Sequence, residues 1–174
     1  MPSKSPIYLR QPRREDRAAF VAAALGSRGL HHPWIKAPAT TAAFDAYLKK
    51  MRKSGHQAYL VCRRDSDEIA GVFNLTNVIL GAFRSGYLGY YAFAGHERRG
   101  FMRAGLIAVI RHAFGTLKLH RLEANIQPGN AASIALVRAC GFRKEGYSPR
   151  YLKIGGRWCD HQRWAILADR GDQA

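Results

Sequence analysis

Acidic residues are scarce in this chain: 12 Asp and Glu stand against 28 Lys and Arg, a formal net charge of +16. Such a field attracts polyanions, whether nucleotide phosphates, RNA or a ribosome surface, with a plain solvated basic face as the competing reading. Cysteine is sparse as well. Cys62, Cys140 and Cys159 make an odd count without C-x-x-C spacing, which supports neither a disulfide framework nor a zinc site and fits a reduced, intracellular compartment. No segment approaches the roughly 18 apolar residues of a membrane span, and MPSKSPIYLRQPRRED at the start lacks the apolar stretch of a signal peptide. The expectation is a cytoplasmic protein with no metal and no membrane contact. Neither G-x-x-x-x-G-K-[ST] nor G-x-G-x-x-G occurs, so a P-loop and a Rossmann turn are excluded. With no repeat, low-complexity tract or second core, residues 1–174 read as a single domain.

What is present is a clear alternation of periods. Residues 15–26 read as a helix with acids in its first turn, and residues 41–54 as a second, with Phe44, Tyr47, Leu48 and Met51 at helical spacing. Between them, residues 27–39, with Trp34 between Pro33 and Pro38, read as a loop that either covers a substrate or merely connects. From residue 57 the pattern turns to strands: QAYLVCRR, then IAGVFNLTNVIL after an Asp-rich turn, then SGYLGYYAF, an antiparallel meander. A helix over 102–117 follows, with Met102, Leu106, Val109, Ile110, Ala113, Phe114 and Leu117 on one stripe. Then come a strand at 121–126, a helix at 130–139, and strands near 143–153 and 159–167. This is an α/β (α+β) pattern, a mixed, mostly antiparallel sheet with helices on both faces.

Two segments carry chemistry. GHERRGFM at 95–102 joins an apolar strand to an amphipathic helix, so the free N–H groups and positive dipole end of the helix's first turn make an anion site. Gly100 allows close backbone approach, and Arg98, Arg99 and Arg103 add positive charge beside it. In the second segment, LHRLEANIQPGNAASIALVRACGFRKEG, Pro128 and Gly129 make a turn. Asn130 caps the next helix, Ser133 stands one turn in, and Gly141 is placed where a helix is left by a left-handed residue.

Taken together these residues resemble the GNAT superfamily of acyl-CoA-dependent N-acetyltransferases, and within it the RimJ/RimL type that acetylates N-termini of ribosomal proteins. The resembling residues are GYLGYY at 86–91, Arg99-Gly100-Phe101-Met102, Arg121-Leu122-Glu123-Ala124-Asn125, Asn130-x-x-Ser133, Gly141-Phe142-x-x-Glu145-Gly146 and Trp158-x-Asp160-His161. They span about Ile7 to Leu167. The resemblance implies that acetyl-CoA lies in a V-shaped gap where the strands at 86–93 and 121–126 splay apart. Its pyrophosphate would rest on the backbone of Arg98, Arg99, Gly100, Phe101, Met102 and Arg103, with Asn130 and Ser133 lining the pantetheine side. Two departures stand in the loop: Glu97 begins it, and Arg98 occupies a place where glycine is common.

Acetyl transfer to nitrogen needs a neutral amine, a donor to the oxyanion and a proton for the departing thiolate. An α-amine, with pKa near roughly 7.7–8.0, gives up its proton more readily than a lysine near about 10.4. For the base, period-2 alternation puts Leu122, Ala124 and Ile126 on one face and Glu123 and Asn125 on the other. Glu123 resembles the base of several N-terminal acetyltransferases, against the alternative of a surface glutamate paired with Arg121. Many superfamily members offer a tyrosine as acid where this chain has Val137. The role therefore falls to Ser133, as in RimL-type enzymes, with Tyr147 and Tyr151 as alternatives. The amide of Ala92 or Phe93 is the expected oxyanion donor. His96, His120 and His161, lacking partner spacing, are left out of the catalytic set.

The implied reaction is acetyl transfer to a protein N-terminal α-amine, with a ribosomal protein as partner, possible rRNA contact through the basic surface, and a monomer or homodimer. Two alternatives stand beside it: a non-catalytic RNA- or ribosome-binding module of the same fold, and an acetyltransferase for a small amine. The latter favours an acidic acceptor pocket, for which the chain has few acids.

Overall fold

The computed structural model describes residues 5–168. Seven strands form one sheet in the order β1-β2-β3-β4-β5-β7-β6: β1 Ile7–Arg10, β2 Gln57–Arg63, β3 Ile69–Ile79, β4 Ser85–Ala92, β5 Arg121–Ile126, β6 Arg143–Ile154 and β7 Arg157–Leu167. Every neighbouring pair is antiparallel except β4 with β5. The helices are α1 Arg17–Gly26, α2 Arg28–His31, α3 Thr41–Met51, α4 Phe101–Gly115 and α5 Ala131–Ala139. Both faces of the sheet are covered, as the strand and helix periods predict.

The apolar run of β2 is buried on two sides, and alternation sorts it between two cores. Val61 joins Phe73, Leu106 and Val109 under α4, whereas Leu60 and Cys62 join Phe20 of α1 and Phe44 of α3. Phe20 and Phe44 are fully buried with ring centroids 4.8 Å apart. Each such burial stabilises by about 1.5–3 kcal/mol.

Local features differ from the sequence pattern: α1 begins at Arg17 rather than at residue 15, with Glu15 and Asp16 in a preceding 3-10 turn. Ile7–Arg10 forms an edge strand, which four residues with only Ile7 buried are too short to announce. The 27–39 segment is not wholly irregular, since Arg28–His31 makes one helical turn, and the His32–Pro33 peptide that follows is cis. Helix α3 ends at Met51 rather than at residue 54, its last carbonyls meeting the amides of Arg52 and Lys53 in a tightening turn.

Two features shape the site. Parallel pairing of β4 with β5 is confined to Ser85↔Arg121, Gly86↔Leu122 and Tyr87↔Glu123. Beyond it, β4 stays with β3 as far as Ala92 and β5 with β7 as far as Ile126, so the two strands part and leave a V. The second feature is the seat of α4. At Gly71 an added Cβ would stand 2.9 Å from the carbonyl oxygen of Tyr91 and against Met102 Sδ, so only glycine lets the first turn of α4 rest on the sheet. Gly71→Ala is therefore expected to cost about 1–3 kcal/mol of stability and to lift that turn. Thermal unfolding will show the first effect and a raised KM for acetyl-CoA the second.

Candidate active site

The mouth of the V is lined by backbone. The amide of Phe93 donates to the carbonyl of Ala70 at 2.9 Å, and antiparallel alternation then turns the polar groups of Ala92 away from β3, toward the gap. Of the two amides expected as oxyanion donors, Phe93's is thus already committed, and its side chain is buried. The amide of Ala92 is the one left facing the gap. Its carbonyl accepts a bond from His31 Nε2 at 2.7 Å, and the amide of Ala94 donates to Ser27 Oγ at 2.9 Å. Ser27 and His31 therefore fix the exit of β4 from across the fold. Neither is visible in the sequence as a site residue, because their partners lie 67 and 61 positions away.

The loop after β4 is shaped to present amides. Gly95, Arg98 and Gly100 all have positive φ, at 87°, 58° and 79°. Gly100 is the N-cap of α4, whose first-turn amides on Phe101, Met102 and Arg103 precede the first intrahelical bond, from Ala104 to the Gly100 carbonyl. Those amides, at the positive end of a 15-residue helix, form an anion cradle. Glu97 turns its carboxylate back to accept the Gly95 amide at 2.7 Å. Arg98 takes the left-handed conformation that favours glycine, at a cost of about 1–2 kcal/mol. The ring of Phe101 is held between the guanidiniums of Arg99 and Arg63, 5.0 and 5.6 Å from its centroid.

On the opposite wall, Asn130 caps α5 by accepting the Ser133 amide at 3.1 Å. The single phenol proton of Tyr90 is within reach of two acceptors on Ser133, its hydroxyl at 2.6 Å and its carbonyl at 3.0 Å. Burial raises the Tyr90 phenol well above its usual pKa, so it stays protonated and serves as a donor at neutral pH. Val137 is fully buried in the core and contributes nothing polar. Tyr90 is a site residue that strand alternation hides among core aromatics.

At the apex of the V, Glu123 is only 15% exposed and pairs with Arg121 at 2.8 Å. Arg121 also holds Glu145, with Nη1 at 3.0 Å from Oε1. The expected surface pairing is thus real, but it anchors a carboxylate at the point where the strands part rather than on open surface. Tyr147 is half-exposed and bonded to Asp160, which raises its pKa. It lines a groove beside Asp160, and no hydrogen bond joins it to Ser133. Tyr151 is near Tyr87 and Glu123, with burial raising its phenol. His161 is buried against the Cys159 carbonyl at 2.9 Å. Among the described residues no group of three or more His, Cys, Asp or Glu is arranged to hold a metal.

The groove has a volume of about 1140 Å³ and lies between the 27–39 segment, the β5–α5 turn and the β6–β7 hairpin. Trp34 reaches across it: Gln127 Nε2 donates to the Trp34 carbonyl at 3.1 Å, and a Cβ on Gly129 would stand 3.1 Å from the Trp34 ring. The segment between α1 and α3 thus forms a wall of the groove.

Comparison with known proteins agrees with this geometry. Residues 7–143 match the model of the acetyltransferase (GNAT) domain. The chain is 43% identical over 115 residues to the [ribosomal protein uS5]-alanine N-acetyltransferase of Escherichia coli (strain K12), a match covering 66% of this chain and 59% of that protein. Among solved structures it resembles Mycobacterium smegmatis RimJ in complex with CoA-disulfide, with a TM-score of 0.87 and 28% identity over 97% of this chain and 85% of the other. It also shares its fold with the Vibrio cholerae spermidine N-acetyltransferase in complex with CoA and spermine, with a TM-score of 0.77 and 21% identity over 94% and 96% of the two chains.

Proposed function

Because the chain belongs to the GNAT acetyltransferase family and is an acetyl-CoA-dependent acetyltransferase, we propose that its acceptor is the α-amine of a protein N-terminus, with a ribosomal protein as the natural partner. The observation that carries this reading is the acceptor groove. It is roomy, about 1140 Å³, yet its lining offers one carboxylate, Asp160, already bonded to Tyr147 and to the Arg150 amide at 2.8 Å. A polyamine would need several carboxylates to replace its hydration. An N-terminal segment needs only one amine at the reacting end. The relative at 43% identity, named as acting on uS5 alanine, supports the same choice.

The residues fit the cosubstrate. The Phe101–Arg103 amides, with Arg98 and Arg99 beside them, hold the pyrophosphate, and Asn130 fixes the helix end along the V. Acetyl-CoA supplies an activated acyl carbon. Glu123, through a water, takes the proton from the attacking nitrogen. The outward amide of Ala92 donates to the carbonyl oxygen as it gains charge. Ser133 donates to the sulfur as the C–S bond breaks, while Tyr90 holds its hydroxyl in place. Ser133 then regains a proton from water and Glu123 returns to water the one taken from nitrogen, so both residues are restored and CoA leaves as the thiol. The basic surface offers docking on rRNA at the site of the substrate.

The test is thiol release from acetyl-CoA with short peptides beginning Ala or Ser. Turnover above background with these, and none with spermidine, is expected. No release from any peptide, together with RNA binding of steep salt dependence, would point instead to a non-catalytic module.

A further inference from the structure

The acceptor groove is not merely poor in acids; it is ringed by cations. Arg28 on α2, Lys36 in the 27–39 segment and Arg157 at the start of β7 all line it, and all three are exposed. None forms an ion pair among the described residues. The carboxylate nearest in the lining, Asp160, is spent on Tyr147 and the Arg150 amide. Arg28 and Lys36 belong to the wall formed by the 27–39 segment and Arg157 to the β6–β7 hairpin, so the cations come from two sides of the groove. Between them stand Trp34 and Trp158, the latter 61% exposed, which offer flat apolar contact to a chain lying across the groove. A groove of this kind repels Lys- or Arg-rich chains and attracts carboxylates. The chain's net charge of +16 pushes in the same direction at long range.

We propose that this groove selects, among N-terminal α-amines, those followed within the first few residues by acidic side chains, and that Arg28, Lys36 and Arg157 are its specificity determinants. The proposal rests on the α-amine reading above and narrows it. It separates this chain's acceptors from the basic tails common on nucleic-acid-binding proteins: the substrate N-terminus is an acidic or neutral one, even on an otherwise basic partner.

Two hexapeptides decide it, both beginning with Ala and differing only in Glu or Arg at the third and fourth positions; Arg is used because it offers no acylatable amine. Exposed ion pairs are individually weak, but three cations acting on two carboxylates, against repulsion of two guanidiniums, should separate the kcat/KM values by about tenfold or more at low salt. The contrast should shrink on adding about 0.5 M NaCl, where screening is short-ranged. In the doubly substituted K36E/R157E protein, with both changes at exposed positions, one in the 27–39 segment and one at the end of a hairpin strand, the preference should vanish or reverse while thermal unfolding is little changed. Equal rates for the two peptides, or a preference for Arg, would overturn the proposal while leaving N-terminal acetylation standing. Turnover of neither peptide by a protein that still binds acetyl-CoA would overturn both.

Discussion

Glu123→Gln lowers kcat/KM for an Ala-starting peptide by about 10²-fold if Glu123 is the base, the size expected for loss of a positioned proton acceptor. The substitution keeps shape and can still accept from Arg121, and Arg121 retains Glu145, so the fold has no reason to suffer. The place of Glu123 explains why one carboxylate matters. It belongs to the last paired position before β4 and β5 separate, on the strand face opposite the buried Leu122 and Ala124. The pH profile distinguishes a base from a structural ion pair. An α-amine is already neutral above roughly pH 8, so the deficit should be largest near about pH 6 and shrink toward about pH 9. A loss equal at all pH values would mark Glu123 as an anchor for Arg121, and no loss would remove it from the mechanism.

Ser133→Ala is the second large effect, a fall in kcat of about 10²-fold with KM for acetyl-CoA little changed, because the hydroxyl acts on the sulfur only as the bond breaks. Tyr90→Phe should cost less, about tenfold, since it leaves the Ser133 hydroxyl present but unheld. Its stability cost, about 0.5–1.5 kcal/mol for the loss of a part-buried hydrogen bond, is read separately by thermal unfolding. Ser133→Thr, which keeps a hydroxyl, should recover part of the rate. If Tyr90→Phe proves as damaging as Ser133→Ala, the phenol itself is the proton source. If both variants keep full kcat, the departing sulfur is protonated from elsewhere.

The legible and illegible parts of this chain divide along a physical line. Elements with a sustained period were legible: the apolar stripe of α4, the alternation of β5 and the punctuation of α5 by Asn130 and Gly141 each state their structure locally. β1 and α2, at four residues each, are too short for any period to show. The anion cradle was legible because it depends on a local strand-to-helix turn. The Tyr90–Ser133 bond and the clasp of Ser27 and His31 on the β4 exit join residues 43 or more positions apart, and nothing in the local sequence marks either partner. Tyr147 is an acid by type, but its bond to Asp160 and its place in the groove lining depend on the pairing of β6 with β7 and are not marked in the local sequence.

The most direct measurement uses one peptide that carries both a free N-terminal alanine and an internal lysine, incubated with the protein and acetyl-CoA, with the acetyl group located by tandem mass spectrometry. The account predicts a single acetyl group on the α-nitrogen, with lysine untouched. Acetylation on the lysine, or none on a peptide whose α-amine is free, would contradict it.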